Sequence, residues 1–201
     1  MTGSPTNTGP VILLLAAGSS SRMRGGDKLL EDVNGQPCLR AIAQRALATG
    51  QPVMIALPPD RPLRDQTVSD LPVTRITVPN AADGMGVSLA TAAASVTDPL
   101  MVVPADMPAL TSADLSTMLA AHQAAPSAIL RGTDNMKTAG HPVVFPSDLI
   151  ENLRALTGDT GARDVIKKYK DRLRLIALPD DHATLDLDTP ESWQVYRARG
   201  E

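Results

Sequence analysis

The sequence predicts a three-layer α/β fold, in which a mostly parallel sheet is covered by helices on both faces. Short apolar runs alternate with longer amphipathic stretches along the 201 residues. Runs without polar alternation are typical of strands that are buried on both faces, and helices usually connect parallel strands. No repeat or linker divides the chain. We therefore expect one domain over residues 11–201, after a disordered tail over residues 1–10.

Each element follows from a local pattern. Apolar runs predict seven strands, the last of them central in the sheet: Val11–Leu15, Val53–Leu57, Val73–Val78, Leu100–Val103, Ser127–Leu130, Val143–Phe145 and Leu173–Leu178. Helical periodicity predicts the segments between them: Cys38–Thr49, Val87–Ser95, Thr111–Ala124, Ser147–Leu156, Arg163–Lys170 and a final helix from Thr189. Thr111 and Asp114 have the spacing of a capping box.

Composition excludes several classes of function. The net charge is −3 and only four residues are aromatic, which argues against a nucleic-acid partner. Cys38 is the only cysteine, so neither an intrachain disulfide nor a cysteine metal cluster can form. The apolar run at Val11–Ala17 is too short for a signal or membrane segment. We expect a cytoplasmic protein without a membrane partner.

The first strand runs into a loop that is suited to phosphate. Gly18 lets the backbone approach a ligand, the small side chains of the serines leave the N–H groups accessible, and Arg22 and Lys28 supply positive charge. The loop has neither the Gly-Lys-Ser/Thr of a Walker P-loop nor the G-x-G-x-x-G of a dinucleotide site. A flexible basic surface turn is the alternative. The segment reads Leu15-Ala16-Ala17-Gly18-Ser19-Ser20-Ser21-Arg22-Met23-Arg24-Gly25-Gly26-Asp27-Lys28.

Carboxylates at two other places could hold Mg²⁺, which prefers oxygen ligands. Asp106 follows the strand at Leu100–Val103, although it could instead cap a turn. Asp186 and Asp188 could point into the same cleft, because alternate residues of an extended chain face the same way. Asp188 could equally be a helix cap, and Thr189 before Pro190 is as good a helix start.

The order of these motifs resembles the NTP-transferase families of Rossmann-like fold. There, the Leu-Ala-Ala-Gly backbone lies under the base and phosphates, and the arginine and lysine neutralise the triphosphate. The resemblance implies catalytic roles for Arg22, Lys28 and Asp106, and a metal site at Asp106 and Asp188, with Asp186 ranked lower. It implies nucleotide contacts from Leu15, Ala16, Ala17, Gly18, Ser19, Arg22, Lys28, Gly84, Met85 and Ser88.

The acceptor side is assigned by resemblance as well. Gly140, His141 and Pro142 resemble a Gly-x-Pro segment that lines the acceptor, and His141 could sense its phosphate. Asp159 lies in a loop that resembles Gly-Asp-x-Gly-Ala-Arg. For each segment a structural role is the alternative: a polar rim for His141 and a helix cap for Asp159.

Among these families, the molybdenum cofactor cytidylyltransferase branch fits best. Ala17, where the guanylyl branch has glycine, favours a pyrimidine nucleotide. The resemblance implies Mg²⁺ as cofactor, CTP and a molybdopterin-type acceptor as substrates, and a molybdoenzyme maturation partner. Alternatives are a sugar- or polyol-phosphate nucleotidyltransferase, a guanylyltransferase of the same cofactor, and a nucleotide-binding regulatory or chaperone-like protein. The missing dinucleotide fingerprint disfavours a nicotinamide-dependent oxidoreductase.

Overall fold

A computed structural model of the protein describes residues 9–158 and 161–199. Most of the predicted tail, residues 1–8, and the predicted acceptor residue Asp159 lie outside this range. Within it, Pro10 is buried at the start of the first strand. No helix in the described ranges is long and apolar enough to cross a membrane.

The centre of the fold is a seven-stranded sheet, and a two-stranded hairpin lies beside it. The strands are β1 (Val11–Leu15), β2 (Asp32–Val33), β3 (Gln36–Pro37), β4 (Val53–Leu57), β5 (Thr74–Thr77), β6 (Leu100–Pro104), β7 (Ile129–Thr133), β8 (Ala139–Phe145) and β9 (Leu173–Ala177). The helices are α1 (Cys38–Leu47), α2 (Pro62–Thr67), α3 (Met85–Ala93), α4 (Ser112–Ala124), α5 (Ile150–Arg154), α6 (Arg163–Lys168) and α7 (Pro190–Ala198).

The strand order is β5-β4-β1-β6-β8-β7-β9, and all neighbouring pairs are parallel except those that involve β8. This confirms the predicted α/β fold with a mostly parallel sheet. The prediction that the last strand is central was wrong, because β9 is an edge strand that pairs only with β7. Its Arg174 and Leu175 are exposed, as an edge position allows.

Alternate residues of the strands supply two hydrophobic clusters on opposite faces of the sheet. Ile12 and Leu14 join the cluster that packs against α1 and α4. Leu13 joins the cluster on the other face, with residues of α3, α5 and α6. Because both faces of β1 are buried, its sequence is apolar at every position. Because β1, β4 and β6 are parallel, they end at the same edge of the sheet, and the loops that follow them meet there.

Candidate active site

A cavity of about 530 Å³ opens where β1, β4 and β6 end. The predicted nucleotide-binding residues Leu15, Ala17, Gly18, Ser19, Lys28, Gly84, Met85 and Ser88 line it, together with Asp106. Arg22 lines an adjoining cavity of about 200 Å³, and Lys28 and Asp188 line it as well. Ala16 is the exception, since it is fully buried beneath the loop and contributes its carbonyl oxygen to the packing there.

The first loop holds its shape through left-handed backbone turns at non-glycine residues. Ser20 has φ 54° and Arg24 has φ 51°, on either side of a 3₁₀ turn over Ser21–Met23. Such conformations are disfavoured for L-residues and persist where the surroundings fix them. The guanidinium of Arg24 pairs with Glu191 at 2.6 Å. In this conformation, the Arg24 charge is therefore directed to α7.

Arg64, in α2, fixes the loop from below and is fully buried. Its Nη1 atom donates to the carbonyl oxygens of Ala16 and Gly18 at 2.6 and 2.7 Å, and its Nη2 atom donates to Ser20 Oγ at 2.9 Å. Its Nε and Nη2 atoms also donate to the two carboxylate oxygens of Asp27 at 2.8 and 2.9 Å. One guanidinium thus connects the start of the loop to the residue before Lys28.

The charge of this buried arginine is balanced by Asp27. Burial raises the pKa of the Asp27 carboxyl, but the hydrogen bonds and charge of Arg64 outweigh that effect and hold the pKa below its usual value. Asp27 Oδ1 also accepts from the Leu29 N–H at 3.1 Å, which caps the turn that begins at Lys28. The pair therefore sets both the path of the loop and the position of Lys28.

Replacing Arg64 by methionine is expected to lower the free energy of unfolding by about 3–5 kcal/mol, because Asp27 would keep a buried charge without its partner. Chemical denaturation measures this change. The control is Arg75→Met, since Arg75 pairs with Asp65 at the surface and its loss should cost less than about 1 kcal/mol. Equal stabilities for the two variants would contradict the role given to Arg64.

Lys28, Asp106 and Asp188 meet at the edge of the cavity. The Lys28 ammonium contacts Asp106 Oδ2 and lies 2.6 Å from Asp188 Oδ1. Asp188 Oδ2 pairs in turn with Arg22 Nη2 at 2.7 Å. Burial lowers the pKa of Lys28, but the charge of Asp106 and the hydrogen bonds to both carboxylates outweigh it, so the pKa is raised and the ammonium stays protonated.

The final helix leaves Asp188 free to take part in this cluster. The N-cap of α7 is Thr189, whose side chain accepts from the Ser192 N–H, and Pro190 is the first helical residue. Of the two helix starts that the sequence allowed, the structure therefore has the one at Thr189. The backbone N–H of Leu187 donates to the Asp106 carbonyl oxygen at 3.1 Å, which holds the segment against the end of β6.

The carboxylates fit a hard divalent cation. Partial burial, followed by the charges of Asp188 and Asp106, raises the pKa of Asp186, so all three carboxyls lie within electrostatic range. Only Asp106 and Asp188 contact the ammonium. Within the described ranges, no group of three or more His, Cys, Asp or Glu side chains could hold a metal. Mg²⁺ suits such a sparse set, because it usually takes one or two carboxylates plus phosphate and water oxygens.

The predicted acceptor residues lie on β8, outside the two spaces described above. A Cβ atom on Gly140 would fall 1.8 Å from the Ala183 carbonyl oxygen, so glycine is required there by backbone packing. Burial, followed by the charge of Arg131, lowers the pKa of His141 to about 4, which leaves the ring neutral at pH 7. Its Nδ1 atom is buried and has no hydrogen-bond partner within the described residues. The structure thus gives this ring no charge with which to attract a phosphate.

Sequence reasoning missed Arg61 and Arg64. Arg61 lines the cavity with Pro59, and its Nη2 atom donates to the Ser19 carbonyl oxygen at 3.0 Å. The signal for Arg61 was its place just after β4, since ligands of parallel sheets bind at the carboxyl ends of strands. The role of Arg64 had no comparable signal, because its segment is rich in charged residues and resembles a solvated turn.

Comparisons with known proteins agree with this arrangement. A family model described as the MobA-like NTP transferase domain matches residues 12–173. No curated protein matches the chain.

Solved structures show the same fold at low sequence identity. Rv0371c from Mycobacterium tuberculosis H37Rv superposes with a TM-score of 0.81 at 23% identity, covering 95% of this chain and 98% of that one. A structure of Rv0371c in complex with manganese gives 0.75 at 21%, covering 94% and 97%. A CMP:2-keto-3-deoxy-manno-octonic acid synthetase complexed with CTP gives 0.76 at 16%, covering 96% and 98%.

Proposed function

The chain belongs to the MobA-like NTP transferase family, and we propose that it transfers CMP from CTP to the phosphate of a molybdopterin-type cofactor and releases pyrophosphate. The observation that carries the proposal is the contact of Lys28 with Asp106 and Asp188 at the edge of a nucleotide-sized cavity. A positively charged group that could bind phosphate thus lies beside carboxylates that could bind a cation. We also propose a cytoplasmic location, which suits the single buried thiol of Cys38.

The donor end of the site favours a triphosphate. Ser19 and Gly18 present small, exposed residues at the mouth of the cavity, where backbone N–H groups can reach phosphate oxygens. Arg22 is 68% exposed at its side chain, so it can leave Asp188 and pair with the β and γ phosphates. We propose CTP as the nucleotide because Ala17, the residue that favours a pyrimidine nucleotide, lines the cavity. The CTP bound to the synthetase of similar fold is consistent with this choice.

Transfer would depend on position and charge more than on covalent chemistry by the protein. The acceptor phosphate is already a nucleophile at neutral pH, so no general base is needed. Asp106 and Asp188 would hold Mg²⁺, which when bound neutralises charge on the phosphates. Manganese, named in one structure of similar fold, shares this preference for oxygen ligands. Lys28 would turn from the carboxylates to the α-phosphate and stabilise the charge that grows there.

A pyrophosphate-release assay tests the proposal. The protein is incubated with Mg²⁺ and each of CTP, GTP, UTP and ATP, without an acceptor, with molybdopterin, or with a sugar or polyol phosphate. We expect release with CTP only when molybdopterin is present. Release with GTP instead would assign the guanylyl reaction, and release only with a sugar or polyol phosphate would assign that class. Nucleotide binding without any release would indicate a regulatory protein. A molybdoenzyme that receives the product remains a prediction.

A further inference from the structure

The segment that carries Asp106, residues 105–110, connects β6 to α4 without forming a helix or a strand. Every residue in it except Asp106 is buried. Buried carbonyl groups need hydrogen-bond donors, and this segment finds most of them in other parts of the chain. We propose that Arg45 of α1 is a positioning residue, which holds the segment so that the Asp106 carboxylate can bind the cation.

Arg45 lies near the end of α1, and its side chain reaches the second half of this segment. Its Nη1 atom donates to the carbonyl oxygens of Pro108 and Leu110, the second at 2.9 Å. Within the described ranges Arg45 forms no ion pair, whereas Arg40 of the same helix pairs with Asp70. Its hydrogen bonds therefore go to the segment alone, and the charge of the guanidinium strengthens both of them.

The same face of α1 contacts the segment on the other side of Asp106. Cys38 lies two helical turns before Arg45, and residues at this spacing share one face of a helix. The Cys38 thiol donates to the Ala105 carbonyl oxygen at 3.3 Å. A thiol is a weak donor, so the guanidinium of Arg45 makes the stronger attachment. The helix α1 therefore bonds to the chain on both sides of Asp106.

The C-terminal part of the chain supplies two further donors to the segment. The Leu187 N–H donates to the Asp106 carbonyl oxygen at 3.1 Å, and the Tyr196 hydroxyl donates to the Pro108 carbonyl oxygen at 3.2 Å. The Pro108 carbonyl thus accepts from two side chains, those of Arg45 and Tyr196. The backbone of Asp106 is therefore fixed between α1 and the part of the chain that carries the second carboxylate.

These backbone bonds matter because little else holds the Asp106 side chain. Within the described ranges, its carboxylate accepts a hydrogen bond only from the Lys28 ammonium. The inference rests on the proposed function in one respect, namely that Asp106 binds the cation while Lys28 turns to the α-phosphate. Once Lys28 has turned away, the direction of the carboxylate depends on the backbone that Arg45 holds. Loss of a group that orients a metal ligand typically lowers metal affinity or activity by about 10–100-fold.

Mn²⁺ binding to the full chain without nucleotide tests the position of Asp106 in the absence of turnover. We expect the dissociation constant, measured by electron paramagnetic resonance, to rise about tenfold in Arg45→Met. Arg45→Gln, which keeps a shorter and neutral donor, should give a smaller rise. Arg45→Lys should restore most of the affinity, because one ammonium can donate to two carbonyl oxygens as Nη1 does.

Steady-state transfer gives a second measurement. Arg45→Met should raise the Mg²⁺ concentration that transfer requires. At saturating Mg²⁺ the KM for CTP should be unchanged, because Arg64 holds the phosphate loop separately.

Arg154→Met is the matched control. Arg154 of α5 also donates to two backbone carbonyl oxygens, those of Ala93 and Val96, at 2.9 and 2.7 Å. Both carbonyls lie at the end of α3 or just after it, outside the two cavities. This variant should lose stability but keep wild-type Mn²⁺ affinity. The comparison therefore separates the positioning of Asp106 from a general loss of stability.

Wild-type Mn²⁺ affinity in Arg45→Met would overturn the inference, and so would wild-type affinity in Arg45→Gln where Arg45→Met fails to fold. An equal loss of affinity in Arg154→Met would overturn it too, because lower stability alone would then explain the effect. Mn²⁺ binding that depends on Arg45, in a protein that does not transfer CMP, would refute the proposed function and leave the inference standing. Transfer of CMP with unchanged Mn²⁺ affinity in Arg45→Met would do the reverse.

Discussion

Replacing Asp106 by alanine is expected to reduce nucleotidyl transfer by at least about 10³-fold, since a bound divalent cation contributes several kcal/mol to such reactions. Asp106 extends from the end of β6 into the cavity and is one of two carboxylates on Lys28. The fold should persist, because Lys28 retains Asp188 and the Leu187 N–H bonds to the Asp106 backbone rather than to its side chain. Pyrophosphate release measures the loss of transfer, and electron paramagnetic resonance of Mn²⁺ measures the loss of cation binding.

Asp148→Ala is the control for this variant. Asp148 pairs with Arg172 at the surface and its side chain is 60% exposed, so activity should be unchanged. Asp188→Asn should resemble Asp106→Ala, whereas Asp186→Asn should have a smaller effect, because only Asp188 of the two contacts Lys28. Full activity in Asp106→Ala would remove the cation role from this residue and with it the proposed mechanism.

Replacing Lys28 by methionine is expected to change two quantities in opposite directions. Turnover should fall by about 10²–10³-fold, the range for loss of one group that stabilises transition-state charge. Mn²⁺ affinity without nucleotide should rise, because the Lys28 ammonium lies between Asp106 and Asp188 where a cation would compete with it. Without the lysine, two carboxylates face each other and attract a divalent ion more strongly.

Steady-state kinetics and an Mn²⁺ titration of the same protein separate these effects. Lys170→Met, at an exposed position before β9, is the control and should leave both quantities unchanged. Lower Mn²⁺ affinity together with wild-type turnover would show that Lys28 only supports the carboxylates. The rise in affinity would also indicate that, in the wild-type protein, the Lys28 ammonium competes with the cation for the two carboxylates.

The buried parallel strands could be predicted from the sequence almost to the residue. β1 and β4 have the predicted bounds because each is an unbroken apolar run. The antiparallel direction of β8 could not be predicted from its apolar residues, since the direction of a strand depends on the strands with which it pairs. A signal was present in Asp134 and Asn135, which lie in the short connection between β7 and β8 and are typical of a hairpin.

The candidate site shows the same division between local and tertiary information. Motif order brought Lys28 and Asp188 into one hypothesis, and the structure joins them although 160 positions separate them. Arg64 could not be recognised, because its importance comes from the carbonyls of Ala16 and Gly18, which no sequence pattern marks as needing a donor.

The bond from the Leu187 N–H to the Asp106 carbonyl has a consequence for what is lost when the C-terminal segment is removed. All seven strands of the main sheet, the loop around Gly18 and the Arg64 side chain that fixes this loop precede residue 178, whereas Asp188 lies beyond them. A protease that cuts just beyond β9 would therefore leave the sheet and the phosphate loop whole but the site without Asp188.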